Sequence, residues 1–286
     1  MEITAELVKT LRDKTDAGMM DCKKALKETG GDLEAAVAYL RQKGLAVAAK
    51  RAGRAATEGT VWSHIAPDHK SGVMLEVNCE TDFVAKTDSF VELGARLSEQ
   101  LAASALETLE QLLAEPCPHL PGLTVTDYVN EVIAKTGEKC EVRRFGRYRG
   151  DLVAAYIHFG GKIGVMVELS GTEAVPEAVA AAKDVAMQIA AANPLAVSRE
   201  DIDPGAVAKE KAIFEAQARE SGKPENIIEK MITGRLEKFY KEVCLNQQAF
   251  VKNSDQTVAQ YLKEVGGRLG KDIKVKRFSR FQVGTE

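Results

Sequence analysis

The chain has 286 residues, 45% of them hydrophobic and 28% charged, with a formal net charge of -3 and no block of like charges. This composition predicts a globular protein of two or three domains and gives no support to direct nucleic-acid binding. No apolar run reaches the length of a membrane span, so no membrane contact is expected. The five cysteines are scattered and contain no C-x-x-C pair, which favours free thiols in a reducing, cytoplasmic setting and no zinc site. No cofactor is expected.

Residues 1–54 are predicted to form three short helices. Thr4 can cap the first helix, a turn at residues 16–18 separates the first two, and the third is expected to end at Gly44. Helical spacing predicts the inward-facing side chains Leu7, Val8, Leu11, Cys22, Ala25, Leu26, Leu33, Ala36, Val37 and Leu40. Such a unit is typical of a ubiquitin-associated-like bundle used for binding. The connector AVAAKRAGRAATEG, helical or flexible, follows it.

The rest of the chain contains an internal repeat. GVMLEV at residues 72–77 recurs as GVMVEL at 164–169. TVTDYVNEVIAKTGEKCEVRRFGRY at 124–148 recurs as TVAQYLKEVGGRLGKDIKVKRFSRF at 257–281. Two copies of one unit are therefore predicted, and the second copy carries an additional segment between its strands and its closing helix.

Each copy is predicted to contain a three-stranded antiparallel sheet with helices. Two apolar runs indicate a hairpin, TVWSHI with GVMLEV and then LVAAYIHF with GVMVEL. A helix follows in each copy. In the first copy Ser89 and Glu92 can form a capping box before the stripe of Phe90, Leu93, Leu97 and Leu101, and in the second copy the helix ends at Asn193-Pro194. An amphipathic helix and a basic strand close each copy.

The additional segment is predicted to be an antiparallel helical hairpin. A helix over residues 205–220, the breaker SGKP at 221–224 and a second helix reaching Val243 give this pattern. The expected fold class is α+β. Its units are a ubiquitin-associated-like domain (1–54), a first core repeat (55–149), a second core repeat (150–193 and 244–286) and the inserted hairpin (194–243).

Catalytic chemistry is not indicated. The four histidines lack metal-ligand spacing to one another or to cysteine, and phosphate-binding and nucleophile-elbow motifs are missing. Cys79 would lie near His64 if their strands pair, which permits a Cys/His nucleophile, although a core cysteine is favoured. The segments RRFGRYR and KVKRFSRF interleave basic and aromatic residues, a pattern that is compatible with RNA binding. The favoured interpretation is that they are edge strands whose charges prevent aggregation.

The segment NCETDFVAK at residues 78–86 places Asp82 beside Phe83 directly after a buried strand. Two interpretations are open. In the first, Asp82 caps a helix and Phe83 packs under its own domain. In the second, both side chains are presented to a partner. The corresponding SGTEAV of the second copy, at 170–175, has neither Asp nor Phe, whereas a structural pair would be needed in both copies.

Several segments, in chain order, resemble the elongation factor Ts family. They are TDAGMMDCKKAL, GDLEAAVAYLRQKG, AAKRAGRAATEG, EVNCETDFVAK, GKPENIIEKMITGRLEKFYKEV and AFVK. The resemblance covers nearly the whole chain. It implies a non-enzymatic guanine-nucleotide exchange factor that binds elongation factor Tu, in its GDP-bound and nucleotide-free forms, during translation elongation.

The resemblance also implies site residues. Thr81, Asp82, Phe83 and Val84 match the family loop that disturbs the Mg²⁺ site of the GTPase. The partner-binding matches are Arg12, Met19, Met20, Lys23 and His158. Burial of Met19 or Met20 in the bundle, and a plain surface role for His158, stay open as alternatives.

Assembly is a further expectation. Many two-copy family members continue into a C-terminal helix that grips the partner, whereas this sequence ends at RFQVGTE. A one-to-one complex with elongation factor Tu is expected, with the helical hairpin available for dimerisation. An adaptor that uses only its N-terminal helices is the rival function, and it predicts that the 81–84 loop is dispensable.

Overall fold

The computed structural model describes residues 3–15, 17–220 and 224–285. Three helices open the chain: α1 (Ala5–Thr15), α2 (Met19–Glu28) and α3 (Leu33–Arg51). Thr4 Oγ1 accepts a hydrogen bond from the Leu7 N–H at 3.2 Å, which confirms the predicted cap. The three helices share a buried core of Val8, Leu11, Cys22, Ala25, Leu26 and Ala36. Asp16 of the first predicted turn and residues 221–223 of the later breaker lie outside the described residues.

The first sheet follows these helices. Its elements are β1 (Glu58–Ile65), β2 (Ser71–Cys79), α4 (Asp88–Ala103), α5 (Leu109–Ala114), α6 (Val125–Thr136) and β3 (Cys140–Arg149). The strands are antiparallel in the order β1-β2-β3, which confirms the predicted hairpin and closing strand. The buried residues Val73, Leu75 and Val77 of β2 pack with α4, whose predicted stripe of Phe90, Leu93, Leu97 and Leu101 is fully buried.

The predicted capping box of Ser89 and Glu92 is wrong. Helix α4 begins earlier, at Asp88, and the residue before it, Thr87, makes no side-chain cap. The Thr87 hydroxyl instead donates to the Val84 carbonyl oxygen at 2.8 Å, because the preceding residues already form a tight turn.

The second sheet repeats the first. Its elements are β4 (Leu152–Ile157), β5 (Ile163–Ser170), α7 (Pro176–Ala192), α8 (Pro204–Glu220), α9 (Glu225–Val243), β6 (Ala249–Phe250), β7 (Asn253–Thr257), α10 (Val258–Leu269) and β8 (Lys274–Gln282). The sheet order is β4-β5-β8, and α7 ends at Asn193 in the left-handed conformation. Helices α8 and α9 pack together as the predicted hairpin. Short helix α5 and the small hairpin β6-β7 carry no sequence signal that predicted them.

The two sheets pack face to face. Residues of both sheets form one buried cluster, with Val61, Met74 and Tyr148 from the first and Val153 and Met166 from the second. Both central strands are therefore buried on two sides, by helices and by the other sheet. The layers run helices, sheet, sheet, helices. In the part of the chain that the structure describes, no helix is both long and apolar enough to cross a bilayer.

Arginines of the closing strands join the two sheets. The Arg144 guanidinium of β3 lies 4.6 Å from the ring centre of Phe281 in β8, and Arg277 of β8 lies 4.1 Å from that of Tyr148 in β3. Each arginine also donates from Nε to a buried carboxylate of its own sheet, Arg144 to Glu76 at 2.7 Å. The basic-aromatic pattern that could suit RNA therefore makes internal contacts on two edge strands.

The predicted end of α3 at Gly44 is wrong, since the helix continues to Arg51. Gly44 is buried, and a Cβ there would lie 2.8 Å from the Cβ of Ala134 in α6. The glycine lets two helices approach closely and does not stop the helix. Val37, predicted to face inward, is 37% exposed.

A pair of glycine substitutions tests the close approach of α3 and α6. A Cβ added at Gly234, inside α9, would have no described neighbour within 4 Å, so Gly234→Ala should raise the free energy of unfolding by about 0.5–1 kcal/mol through helix propensity. Gly44→Ala should lose that gain and destabilise by about 1–3 kcal/mol through overpacking. Urea unfolding measures both. Equal stabilisation by the two substitutions would contradict the close approach.

Candidate functional site

The 81–84 loop presents Phe83 to solvent. The Phe83 side chain is 79% exposed, whereas Val84 beside it is 7% exposed and packs in the first-sheet core. The interpretation in which Phe83 packs under its own domain is therefore wrong. Asp82 does not cap the following elements either, because Phe83 precedes the helical turn and Thr87 precedes α4. The Asp82 Oδ2 instead accepts from Lys86 Nζ at 2.7 Å. Phe83 is therefore an aromatic side chain that is exposed to solvent on an ordered turn and lies outside the buried core of the fold.

Thr81 anchors the base of the loop. Its N–H donates to Glu138 Oε2 at 3.0 Å, and its hydroxyl donates to Glu138 Oε1 at 2.9 Å. Its carbonyl oxygen accepts from the Cys79 thiol at 3.1 Å. The turn is thus bound to the segment between α6 and β3, and Val84 fixes its other end by burial.

Glu80, next to Thr81, connects the loop to two other segments. Its carboxylate accepts from the Lys139 N–H at 2.7 Å, from Arg51 at 2.9 Å and from Arg54 at 3.0 Å. The hydrogen bond from the Lys139 N–H, with those from Arg54 and Arg51, lowers the pKa of Glu80 to about 2. The end of α3 and the beginning of β3 therefore meet at one charged carboxylate.

The loop that contains His158 lies at the same end of the molecule. Lys162 Nζ donates to the Gly59 carbonyl oxygen at 3.0 Å and pairs with Glu58, both at the beginning of β1. The hydrogen bond from Lys86 lowers the pKa of Asp82, and the charge of Lys162 adds to that shift. The two loops therefore flank the first residues of β1.

The His158 side chain is exposed and contacts Tyr156. Its Nδ1 lies 3.0 Å from the Tyr156 hydroxyl oxygen, and the two rings are tilted against each other with centres 6.0 Å apart. The contact orients the imidazole while its side chain stays accessible to a partner. The Tyr156 contact had no sequence signal.

The N-terminal candidates lie on α1 and α2 and are called the N-terminal patch below. Met19 is 58% and Met20 76% exposed at the beginning of α2, so the alternative in which one is buried is wrong. Arg12 of α1 and Lys23 of α2 are also exposed. Helix α3 packs against α1 and α2 and reaches Glu80 through Arg51, so it links these residues to the base of the 81–84 loop.

The alternative of a Cys79/His64 nucleophile is excluded by the separation of the two residues along the β1-β2 hairpin. Cys79 pairs with Glu58 across β1 and β2, whereas His64 pairs with Val73 near the other end of the hairpin. Burial raises the pKa of the Cys79 thiol to about 12, so it stays protonated. Within the described ranges, no three His, Cys, Asp or Glu side chains are grouped closely enough to hold a metal ion.

Comparison with known proteins identifies the family. The family model described as Elongation factor TS matches residues 80–285. Elongation factor Ts of Clostridium perfringens is 51% identical over 285 residues, covering 99% of this chain and 93% of the relative. That of Clostridium botulinum is 49% identical, covering 99% and 92%. The chain belongs to the elongation factor Ts family. It is therefore a factor of translation elongation.

Sequence reasoning missed the residues that hold the loop in this family member. No local pattern marks Glu80 or Glu138, and Arg51 and Arg54 belong in the sequence to a basic connector. The repeat contained a usable signal. At the positions of Glu80 and Glu138, the second copy has Thr172 and Lys271, so both carboxylates are confined to the copy that carries Asp82 and Phe83.

The lowered pKa of Glu80 predicts a pH-dependent contribution to stability. Its folded pKa of about 2 lies below the ordinary 4.5. The stabilisation is therefore fully present above pH 4.5 and is lost as pH falls from there towards 2. The thermal midpoint of the parent should exceed that of Glu80→Gln by a constant few degrees at neutral pH, and the gap should shrink below pH 4.5. A gap independent of pH down to 3 would show that the charge of Glu80 does not stabilise the fold.

Proposed function

We propose that this protein binds elongation factor Tu in its GDP-bound form, dislodges the partner's Mg²⁺ with Thr81, Asp82, Phe83 and Val84, and promotes GDP release so that GTP can bind. The observation that carries the proposal is the exposed Phe83 ring on a turn anchored by Thr81 and Val84. Membership of the elongation factor Ts family supports the choice of partner.

The energetics are sufficient without any covalent step. Burying the Phe83 ring between partner elements contributes about 1.5–3 kcal/mol. The Asp82 carboxylate, already charged and directed to the surface by Lys86, can compete for groups around the partner's magnesium and repel the nucleotide phosphates. Removing about 1.4 kcal/mol from the Mg²⁺ and phosphate contacts speeds GDP release roughly tenfold.

Exchange then follows from linkage. If binding of this protein weakens nucleotide binding, nucleotide weakens binding of this protein by the same factor. The nucleotide-free complex is therefore the tight one, and incoming GTP dissociates it. The protein acts as a binding regulator and makes or breaks no bond.

Two further surfaces contribute to partner binding in this proposal. Met19 and Met20 offer flexible apolar area on α2, and the cations of Arg12 on α1 and Lys23 on α2 are exposed as well. His158 lies at the same end of the molecule as the 81–84 loop and can reach the partner beside it. The N-terminal patch would supply affinity, and the two loops would act on the nucleotide site.

The proposed domain organisation keeps the boundaries expected from sequence. Residues 1–54 would be a ubiquitin-associated-like domain, 55–149 and 150–193 with 244–286 two core repeats, and 194–243 an inserted hairpin. Separate buried clusters in the N-terminal helices, the first sheet and the second sheet support this partition. In the hairpin, Phe214 and Phe239 are only partly buried and line an open groove, which supports dimerisation through α8 and α9.

Release of fluorescent GDP from elongation factor Tu tests the function. Phe83→Ala should lower the maximal release rate roughly tenfold to a hundredfold, because about 1.5–3 kcal/mol of burial is lost. Asp82→Ala should lower it to a smaller extent, since this substitution removes no apolar burial. Val175→Ala is the matched control: Val175 occupies the position of Phe83 in the second copy and is 37% exposed, and its loss should leave the rate unchanged.

The outcomes separate the rival functions. No acceleration by the parent protein would overturn the exchange function and favour an adaptor. Full acceleration by both loop variants would retain exchange but show that the 81–84 loop does not cause it, leaving the contacts of Met19 or His158 as the source.

A further inference from the structure

Two carboxylates, Glu80 and Glu138, hold the turn that carries Phe83, and they are called the acidic clamp below. Glu138 follows Gly137, the left-handed residue that ends α6. From there its two oxygens accept the N–H and the hydroxyl of Thr81. Thr81 Oγ1 also accepts from the Val84 N–H at 3.4 Å. The clamp therefore fixes both the backbone and the side chain at the base of the loop.

The second carboxylate extends the clamp to the N-terminal helices. Glu80 binds the Lys139 N–H, directly after Glu138, and also Arg51 and Arg54 at the end of α3. The Glu80 side chain is only 15% exposed and that of Arg51 27% exposed, so this pair is shielded more than a surface ion pair. The basic connector thereby obtains a role: its arginines bind the residue that precedes the loop.

The second copy makes the corresponding contact between loop and turn without the carboxylates of the acidic clamp. Lys271 stands in the place of Glu138 and pairs with Glu173, the counterpart of Thr81, at 3.7 Å with side chains 46% and 81% exposed. The contact between loop and turn thus exists in both copies. Only the copy with Asp82 and Phe83 makes it through short, shielded hydrogen bonds from the loop to a carboxylate.

We propose that Glu80 and Glu138 are positioning residues for nucleotide exchange: they hold the 81–84 loop in the conformation that acts on the partner. The inference rests on the proposed function. An exposed ring on a free loop would lose conformational entropy when it inserts into the partner, and the clamp removes that cost before binding. Neither carboxylate needs to touch the partner.

The test measures GDP release from elongation factor Tu over a range of concentrations of this protein. Glu138→Gln and Glu80→Gln, each nearly isosteric, should lower the maximal rate roughly tenfold. For Glu138→Gln the half-saturating concentration should stay within about twofold of the parent value, because this substitution leaves the contacts of Glu80 with α3 and the N-terminal patch in place. Lys271→Gln is the matched control from the second copy and should leave both quantities unchanged.

Each other outcome contradicts a definite statement. A parent protein that accelerates release and a Glu138→Gln variant that matches it would overturn the clamp and leave the exchange function intact. An unchanged maximal rate with a raised half-saturating concentration would also overturn it, since the carboxylates would then serve binding only. An equal loss in Lys271→Gln would show a general structural effect. A parent that does not accelerate release would overturn the function itself.

Thr81 provides a second pair of variants if the carboxylate substitutions unfold the protein. Thr81→Ser keeps the hydroxyl that donates to Glu138, and Thr81→Val removes it with similar volume. The clamp predicts a clear loss of the maximal rate for Thr81→Val and a smaller loss for Thr81→Ser, which keeps the donor to Glu138. Equal rates for the two would contradict it.

Discussion

The packing of one sheet against the other is the constraint on which the rest of this structure depends. Each three-stranded sheet covers one face with helices, but its other face would remain exposed alone. Met74 and Met166, from the two central strands, bury those faces against each other. Arg144 and Arg277 then cross between the sheets, each over an aromatic ring of the other. The contact therefore stabilises two small units that could not bury both faces of their sheets alone, and it fixes the orientation of one unit relative to the other.

This packing leaves the ends of the strands free to differ between the copies. At the end of β2 the chain places Glu80, Thr81 and the exposed Phe83, whereas the same point after β5 has Thr172 and no aromatic residue. The loop that contains His158 lies at the same end, because Lys162 of that loop binds the first residues of β1. A duplicated scaffold thus supports a candidate site that one of the two copies provides.

The sequence predicted the elements better than the contacts between them. The repeat indicated both sheets and their closing strands, since period and apolar runs are local signals. Gly44 resembles a helix end in sequence, but its role, close approach to Ala134, depends on a distant segment. The exposure of Phe83 could be inferred only through the family and the unequal copies, whereas the hydrogen bonds of Glu80 join residues far apart in the chain, which periodicity does not report.

The most direct test of the central claim, that the loop acts on the partner's bound Mg²⁺, compares GDP release from elongation factor Tu with and without Mg²⁺. If the 81–84 loop displaces the ion, the acceleration by this protein should be large in Mg²⁺ and at least roughly tenfold smaller in excess chelator, where the ion is already gone. The same acceleration in both conditions would contradict the account and place the action of Phe83 elsewhere on the nucleotide site.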